Sequence, residues 1–436
     1  MRLAFSSLLL GGAIALKNGV GKLPKMGYNT FNAFGCNYNE EKLLAMAHSM
    51  AEEGLVEAGY NSIIFDDCFT KKERGNGSEL LEDPVRFPSG MRSLTDKLKA
   101  LGISASAYSD AGYKTCAGYP GSYGHEEQDL QTFSDWGFDY LKYDNCYIPF
   151  DNITQENVYG RYQRMADAIA TRAAEKNEDP FWFSICEWGW QQPWIWGKRL
   201  GHSWRINGDI KPWWNSLAAI IDNASFQYWA TDFHGHNDMD MLEVGNTGQG
   251  DPVGNLTYDE AKSHFTAWAL LKSPLFISTN LPNATEDERN ILKNPDIIKI
   301  NQDPNVGESI APFRWGNDQP DFVSNATHPA QYWSGNSTYG VVFMLLNNLD
   351  MSQDMFFNLT ESWAIRSGRI YDVYDMWTHT HNGTALRNMT VTLPPHGVAA
   401  LLLNDAGPEP ELSELGLPYC GIYWQCTWPN GTYYSN

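Results

Sequence analysis

Short apolar runs alternate with amphipathic stretches along most of the chain, from Pro24 to Ser278. The apolar runs have the length of buried β-strands, and the stretches between them place apolar residues at helical spacing. Eight such repeats in one span predict a (β/α)8 TIM barrel. The predicted strands are Pro24–Tyr28, Asn61–Asp67, Ile103–Asp110, Tyr140–Asp144, Phe181–Glu187, Ser203–Asp209, an ill-defined run within Gln227–Asp240, and Pro274–Ser278. The predicted helices include Glu40–Glu57, Gly90–Leu101, Glu126–Trp136, Glu156–Lys176, Lys211–Asn223 and Tyr258–Leu271.

The pattern changes near residues 304–312, where two prolines interrupt the chain. Beyond them, short alternating strands follow one another with turn residues between them, which predicts an antiparallel β-sandwich. Its predicted strands are Tyr339–Leu346, Asp354–Asn358, Gly368–Asp375, Met389–Leu393 and Gly397–Leu403. We therefore divide the chain into a barrel at residues 16–310, a sandwich at residues 311–404, and a tail rich in cysteine and aromatic residues at 405–436.

Almost every predicted barrel strand runs into an acidic residue where it ends. The acids are Asp66, Asp67, Asp110, Asp144, Glu187, Asp209, Asp238 and Asp240. Only Lys142 and Arg205 supply positive charge among these strand ends, and the carboxyl ends of barrel strands form the substrate face. Acids that converge there repel one another, so that one carboxyl group stays protonated beside an ionised one. Hydrolysis of a glycosidic bond requires such a pair. A purely capping role is the alternative, and six coincident strand ends argue against it.

A metal site is a second interpretation of one of these segments. His234, His236, Asp238 and Asp240 occupy alternate positions, and their imidazole and carboxylate groups could bind a divalent ion. That arrangement would make the protein a metal-dependent hydrolase. Because the segment is predicted to be a loop, we favour a site without a metal.

The first residues have the pattern of a secretory signal peptide. Met1 and Arg2 precede a short apolar run that ends in Ala13-Ile14-Ala15, which predicts cleavage after Ala15. The run is shorter than a membrane span. Eleven Asn-x-Ser/Thr sequons agree with a secretory route. We therefore expect a secreted glycoprotein with no membrane partner, and the net charge of −21 argues against a nucleic acid partner.

Seven cysteines in a secreted chain predict disulfides and one remaining thiol. Four of them each follow an apolar run: Cys36, Cys68, Cys116 and Cys146. If those runs are neighbouring strands, pairing the first with the second and the third with the fourth would join loops on one rim. Cys420 and Cys426 could close a local loop in the tail, which leaves Cys186 as the expected free thiol.

Seven segments resemble the motifs of glycoside hydrolase family 27, the α-galactosidases, and above all its fungal members. They are Met26–Asn29, Phe65–Cys68, Asp110–Gly112 with Thr115–Gly118, Leu141–Cys146, Cys186–Gly189, Arg205–Asp209 and Asp238–Leu242. They occur in the family's order between Leu23 and Asn404. The resemblance implies a barrel followed by a β-sandwich, and removal of terminal α-D-galactosyl residues by a retaining double displacement without a cofactor. The implied partner is a galactose-containing oligosaccharide or polysaccharide.

The resemblance also implies roles for individual residues. Asp144 matches the family's catalytic nucleophile and Asp209 its acid/base. We expect the ionised Asp144 to raise the pKa of Asp209. The positions that match galactose-binding residues are Tyr28, Asp66, Asp67, Tyr108, Lys142, Glu187, Trp188, Arg205 and Asp240. Among them, Asp66 and Asp67 match the pair that holds the 4- and 6-hydroxyls. Cys36–Cys68 and Cys116–Cys146 match disulfides of the family.

Two positions depart from the family pattern, since Tyr28 and Phe31 stand where tryptophan is usual. In the family the first of these lies beside C6 of the sugar. A β-L-arabinopyranosidase, whose sugar is galactose without that carbon, is therefore an alternative. Glu187 and Trp190 argue against an α-N-acetylgalactosaminidase, because those relatives carry a small residue at the position of Glu187. A catalytically silent galactose-binding barrel is a further alternative, and the presence of both Asp144 and Asp209 argues against it.

Overall fold

A computed structural model of the chain describes residues 16–150, 157–247, 254–316, 323–410, 419–427 and 432. The predicted signal peptide, residues 1–15, lies outside the described residues. The strands of the first domain are β1 Met26–Asn29, β2 Ser62–Ile64, β3 Ser104–Asp110, β4 Phe138–Asp144, β5 Trp182–Ile185, β6 Ser203–Arg205, β7 His236–Asp238 and β8 Leu275–Ile277. They form one parallel sheet in the order β7-β6-β5-β4-β3-β2-β1-β8. Leu242, just beyond β7, bridges Ile277 of β8 in parallel and closes the sheet into a barrel.

Helices follow the strands, so the predicted (β/α)8 barrel is confirmed. The helices are α1 Phe31–Phe34, α2 Glu40–Glu52, α3 Met91–Ala100, α4 Glu126–Asp135, α5 Val158–Lys176, α6 Pro193–Trp196, α7 Trp214–Gln227, α8 Tyr258–Leu270, α9 Glu286–Leu292 and α10 Pro295–Asn301. Local sequence explains where the long helices begin. Thr257 and Glu260 form a reciprocal capping box at the start of α8. Asn157 caps α5 by accepting a hydrogen bond from the backbone of Gly160.

Several strands end earlier than the sequence pattern predicts. β2 ends at Ile64, β5 at Ile185 and β6 at Arg205. Asp66 and Asp67, Glu187 and Asp209 therefore belong to the loops that follow the strands. Successive strand residues point to opposite faces, whereas a loop can turn neighbouring side chains toward one place. Because these acids lie beyond the strand ends, their side chains need not alternate between the two faces of the sheet.

The second domain is antiparallel, which confirms the β-sandwich prediction. Its strands are β9 Ala311–Arg314, β10 Tyr332–Ser337, β11 Gly340–Leu346, β12 Gln353–Asn358, β13 Arg369–Asp375, β14 Thr380–Leu386, β15 Asn388–Leu393 and β16 Val398–Pro408. They pair in the order β12-β15-β14-β13-β16-β11-β10-β9. The sequence pattern missed β9, β10 and β14. β14 is mostly exposed and polar, so it lacks the apolar alternation that marks a strand.

Strand β11 joins the two domains through alternate side chains. Val342 and Met344 belong to the same apolar cluster as Trp268 of the barrel helix α8. Phe343 and Leu345, which point the other way, belong to a separate cluster inside the sandwich. This period of two explains why the sandwich packs firmly on the barrel.

Three disulfides are present among the described residues: Cys36–Cys68, Cys116–Cys146 and Cys420–Cys426. The first two join loops at the carboxyl end of the barrel, and the third closes a short loop in the tail. The thiol of Cys186 is free and buried. Among the helices described, none combines the length and apolar character that a membrane span needs.

Candidate active site

Asp144 is the last residue of β4 and is 6 % exposed. Its Oδ2 accepts a hydrogen bond from the hydroxyl of Tyr108 at 2.9 Å, and its Oδ1 accepts one from the indole of Trp188 at 3.0 Å. Burial raises the pKa of Asp144 to about 6, an effect that the charge of Lys142 opposes and that of Asp209 reinforces. The carboxyl group is therefore fixed in orientation, and its pKa lies above the usual value for an aspartate.

Asp209 lies in the loop after β6, and its side chain is 62 % exposed. Its Oδ1 accepts a hydrogen bond from Nη2 of Arg205 at 3.0 Å. The partial burial of Asp209 acts to raise its pKa, but the charges of Arg205 and Lys142 and this hydrogen bond outweigh that effect and lower the pKa. From the sequence we expected Asp144 to raise the pKa of Asp209. That expectation is wrong for the free protein, because the guanidinium of Arg205, 3.0 Å from Oδ1 of Asp209, stabilises the ionised carboxylate.

Asp66 and Asp67 lie in the loop just after the end of β2. Oδ2 of Asp66 accepts hydrogen bonds from Nζ of Lys142 at 2.7 Å and from Nδ2 of Asn29 at 2.6 Å. Oδ2 of Asp67 receives the backbone N–H of Ala117 at 2.7 Å, so this side chain is held by the loop after β3. Burial alone would lower the pKa of Lys142, but the carboxylate of Asp66 holds it well above its usual value. Lys142 therefore stays charged beside the two acids.

Arg205, the last residue of β6, forms an ion pair with Asp240 in the loop after β7. Nη2 of Arg205 lies 2.9 Å from Oδ2 of Asp240, and both side chains are almost fully buried. The same Asp240 oxygen accepts the backbone N–H of Ile210 at 2.8 Å. Because Ile210 follows Asp209 directly, this contact positions the segment that carries the acid.

Two of the predicted sugar contacts have no exposed surface in the structure. Tyr28 is 0 % exposed, and its hydroxyl donates to the carbonyl oxygen of Thr279 at 3.0 Å. Glu187 is also 0 % exposed, and Oε2 accepts the backbone N–H of Gln191 at 3.1 Å. Burial raises the pKa of Glu187 to about 7. The polar groups of both residues are thus bonded within the protein.

Models of known protein families match both domains of the chain. A family model described as "Alpha galactosidase A" matches residues 24–303, and one for the α-galactosidase C-terminal β-sandwich domain matches residues 327–403. The chain belongs to the α-galactosidases of glycoside hydrolase family 27. A "Probable alpha-galactosidase B" of Talaromyces emersonii is 36 % identical over 440 residues, which is 90 % of this chain and 94 % of that relative.

Solved structures agree with the family model. The crystal structure of α-galactosidase I from Mortierella vinacea matches with a TM-score of 0.80 at 33 % identity and covers 91 % of this chain and 100 % of its own. The Saccharomyces cerevisiae α-galactosidase with raffinose matches with a TM-score of 0.77 at 30 % identity, covering 89 % of this chain and 99 % of its own. Both barrel and sandwich of the present chain are therefore shared with the family.

Three further residues contribute to this family 27 site: Asp110 and Asn29, which the sequence placed in family motifs without a role in binding, and Arg161, which it did not single out. Asp110 lies in register with Asp144, is 0 % exposed, and accepts the backbone N–H of Cys146 at 2.9 Å. Asn29 binds Asp66 as described above. Arg161 of α5 is buried and donates to Oδ1 of Asn145 at 2.5 Å. Nothing in the helical pattern around Arg161 distinguishes it from a surface arginine, so only tertiary packing identifies it.

The structure separates the residues of the alternative metal site. His234 and His236 donate to the backbone carbonyls of Val20 and Gly21, each at 3.0 Å, while Asp240 pairs with Arg205. Over the described ranges, one cluster has metal-ligand spacing: Asp110, Cys116, Asp144 and Cys146. Its two sulfurs form a disulfide and are not thiolate ligands. Neither set therefore supports a metal-dependent hydrolase.

Proposed function

We propose that the protein is a secreted exo-acting glycosidase that removes terminal α-D-galactosyl residues with retention of configuration. The supporting observation is the carboxyl pair at the barrel mouth: Asp144, oriented by Tyr108 and Trp188, with Asp209 near enough to raise its pKa. A panel of nitrophenyl glycosides tests the activity, and NMR of the first-formed anomer tests retention. The expected first product is α-galactose.

In this mechanism Asp144 attacks C1 of the galactosyl residue as the glycosidic C–O bond breaks. Asp209 gives its proton to the departing oxygen, so the leaving sugar departs as a neutral alcohol. The product of this step is a β-galactosyl ester of Asp144. Asp209, now ionised, takes a proton from water as the water attacks C1 from the α face. The ester bond breaks, and both carboxyl groups return to their starting protonation states.

The pKa order of the pair predicts an acidic activity optimum. The productive form carries one proton, on Asp209, whereas the free protein favours that proton on Asp144. Among molecules that hold one proton on the pair, the fraction with that proton on Asp209 does not change with pH. The activity therefore follows the titration of the pair as a whole. Above about pH 6 the last proton is lost, and kcat/KM is expected to fall about tenfold per pH unit.

Melibiose is the substrate of choice for this pH profile, because its sugar leaving group needs protonation. At the acid limit, below the lowered pKa of Asp209, the pair holds two protons and the nucleophile is lost. The profile should therefore be bell-shaped, with its upper limb near pH 6. A maximum on the alkaline side of neutrality would contradict the assignment of the pair.

Discrimination of galactose from glucose is proposed to depend on Asp66 and Asp67. The two sugars differ only in the direction of the 4-hydroxyl, so recognition must involve groups that reach the axial position. A buried carboxylate that loses its hydroxyl partner is left without water or ligand, which costs several kcal/mol. With Lys142, these acids form a charged cluster suited to hold that hydroxyl. We therefore expect no cleavage of α-glucosides.

Asp67→Asn is expected to weaken galactose binding roughly 10- to 100-fold, since a hydrogen bond to a charged group is replaced by a neutral one. The measurement is the dissociation constant of galactose by calorimetry. Asp83→Asn, in the same loop between β2 and α3, is the matched control and should bind as the unmodified protein does. Comparable turnover of nitrophenyl α-glucoside and α-galactoside would refute this basis of specificity.

Short raffinose-type oligosaccharides and the galactose branches of galactomannan are the proposed natural substrates. The related S. cerevisiae enzyme has been crystallised with raffinose, which supports the first class. A β-L-arabinopyranosidase remains the alternative that the panel tests directly. Tyr28, the residue that raised it, is buried and bonded to Thr279, so its hydroxyl does not present a new contact at C6. Absence of turnover on every glycoside would favour the silent galactose-binding barrel.

Secretion is proposed from the signal-like residues 1–15, the three disulfides and the similarity to fungal α-galactosidases. The mature protein would then begin at Leu16. Sequencing the N-terminus of protein recovered from culture medium tests this directly, because a retained Met1 would contradict cleavage.

A further inference from the structure

The indole of Trp190 is 73 % exposed, although it lies close to the proposed nucleophile. It packs edge-on against Trp188, with ring centroids 5.0 Å apart and planes at 80°. Trp188 in turn donates its indole N–H to Oδ1 of Asp144. Trp188, which is half-buried, and Trp190 therefore form a contiguous aromatic surface beside buried polar groups, and such a surface marks a binding site more often than a single exposed apolar residue does.

The loop that carries Trp190 is held in a strained conformation. Trp188 and Gln192 have φ angles of +62° and +53°, which L-residues rarely adopt. Gly189 has φ of +83°. Such positions are unfavourable for non-glycine residues and persist where the surrounding structure requires them. The carboxylate of Glu187 accepts a hydrogen bond from the backbone N–H of Gln191, which stabilises this turn.

Contacts of the same loop place Trp190 on the leaving-group side. A Cβ atom at Gly189 would meet the carbonyl oxygen of Ile206 at 2.4 Å and the backbone nitrogen of Asn207 at 3.5 Å. The loop therefore lies directly against the segment that leads to Asp209. In the proposed mechanism Asp209 protonates the departing oxygen, so the sugar attached to that oxygen lies on this side of the site.

We propose that Trp190 is the platform on which the sugar of the leaving group stacks. This inference rests on the proposed function and extends it to the second sugar of the substrate. A pyranose ring presents an apolar face of C–H bonds, and the flat indole offers a matching surface at small entropic cost. Trp190 is thus a specificity-determining residue that selects α-galactosides with a glycosyl leaving group.

The test compares two substrates that share the galactosyl group and differ in the leaving group. Melibiose has a sugar leaving group, whereas α-D-galactosyl fluoride loses fluoride and has nothing to stack. In Trp190→Ala the ratio of kcat/KM for melibiose to kcat/KM for the fluoride is expected to fall about tenfold. Most of this change should appear in KM for melibiose. Trp190→Phe, which keeps a ring, should restore most of the ratio.

Trp229→Ala is the matched control, because this indole is also exposed, at 56 %, but lies after α7 on the opposite end of the barrel. The ratio should be unchanged in this variant. An unchanged ratio in Trp190→Ala would overturn the proposal. Equal losses on both substrates would also overturn it, since they would show that Trp190 acts through Trp188 and Asp144. If the unmodified protein cleaves neither substrate, the proposed function fails instead.

Discussion

Replacing Asp144 with glycine is expected to lower kcat for nitrophenyl α-galactoside by roughly 10⁴-fold or more, because the variant lacks the carboxylate proposed to form the glycosyl ester. Binding of galactose should persist, since Asp66, Asp67 and Lys142 keep their contacts. Steady-state kinetics measure the loss, and calorimetry measures the binding.

Azide makes this first test specific for the nucleophile. The glycine variant leaves a cavity on the β face of C1, and a small anion that enters it can attack in place of Asp144. The expected product is β-galactosyl azide, identified by its anomeric coupling in NMR. An α-configured product from this variant would contradict the assignment. Asp139→Gly, a change in the same strand at the other end of the barrel, should retain activity and show no response to azide.

Replacing Asp209 with alanine should produce a loss that depends on the leaving group. For melibiose, kcat/KM is expected to fall about 10²- to 10⁴-fold, the usual contribution of a general acid. Dinitrophenyl α-galactoside has a leaving group that needs no proton, so its kcat/KM should fall far less. A series of aryl galactosides measures this dependence as a slope against leaving-group pKa.

The azide product distinguishes this second variant from the first. With Asp144 intact, the β-galactosyl ester still forms, and azide then attacks C1 from the opposite face. Asp209→Ala should therefore yield α-galactosyl azide, and Asp144→Gly its β anomer. Equal losses on melibiose and on the dinitrophenyl substrate would show that the acid is another residue.

The hydrophobic pattern of the sequence predicted the architecture, because each strand and helix leaves its pattern in its own residues. Buried parallel strands such as β8 are covered on both faces, so they appear as apolar runs, and the helices between them carry an apolar stripe. The sequence alone therefore predicted the barrel and most of the sandwich. It missed β14, whose exposed side chains give no hydrophobic signal. It also placed the ends of β2, β5 and β6 too late, because charge beyond a strand does not show where the backbone turns.

The acidic residues at the carboxyl ends of the barrel strands were also visible in the sequence. Asp144 and Asp209 stand in motifs whose order resembles the family, and each motif occupies only a few consecutive residues. Charge balance within the site was not visible. The pKa of Asp144 is raised and that of Asp209 lowered because Arg205 lies 3.0 Å from Asp209 while Asp144 is buried. Distances between segments far apart in the chain decide this order.

The sequence by itself thus determined the fold class, the family and the residue types at the barrel mouth, because these are written in short segments. Only the tertiary structure decided which groups face one another. It placed the indole N–H of Trp188 against Asp144 and left Trp190 exposed beside Trp188. It also buried Tyr28, whose hydroxyl donates to the carbonyl oxygen of Thr279. Burial and hydrogen bonding between distant segments depend on how the loops pack, and no local pattern encodes that packing.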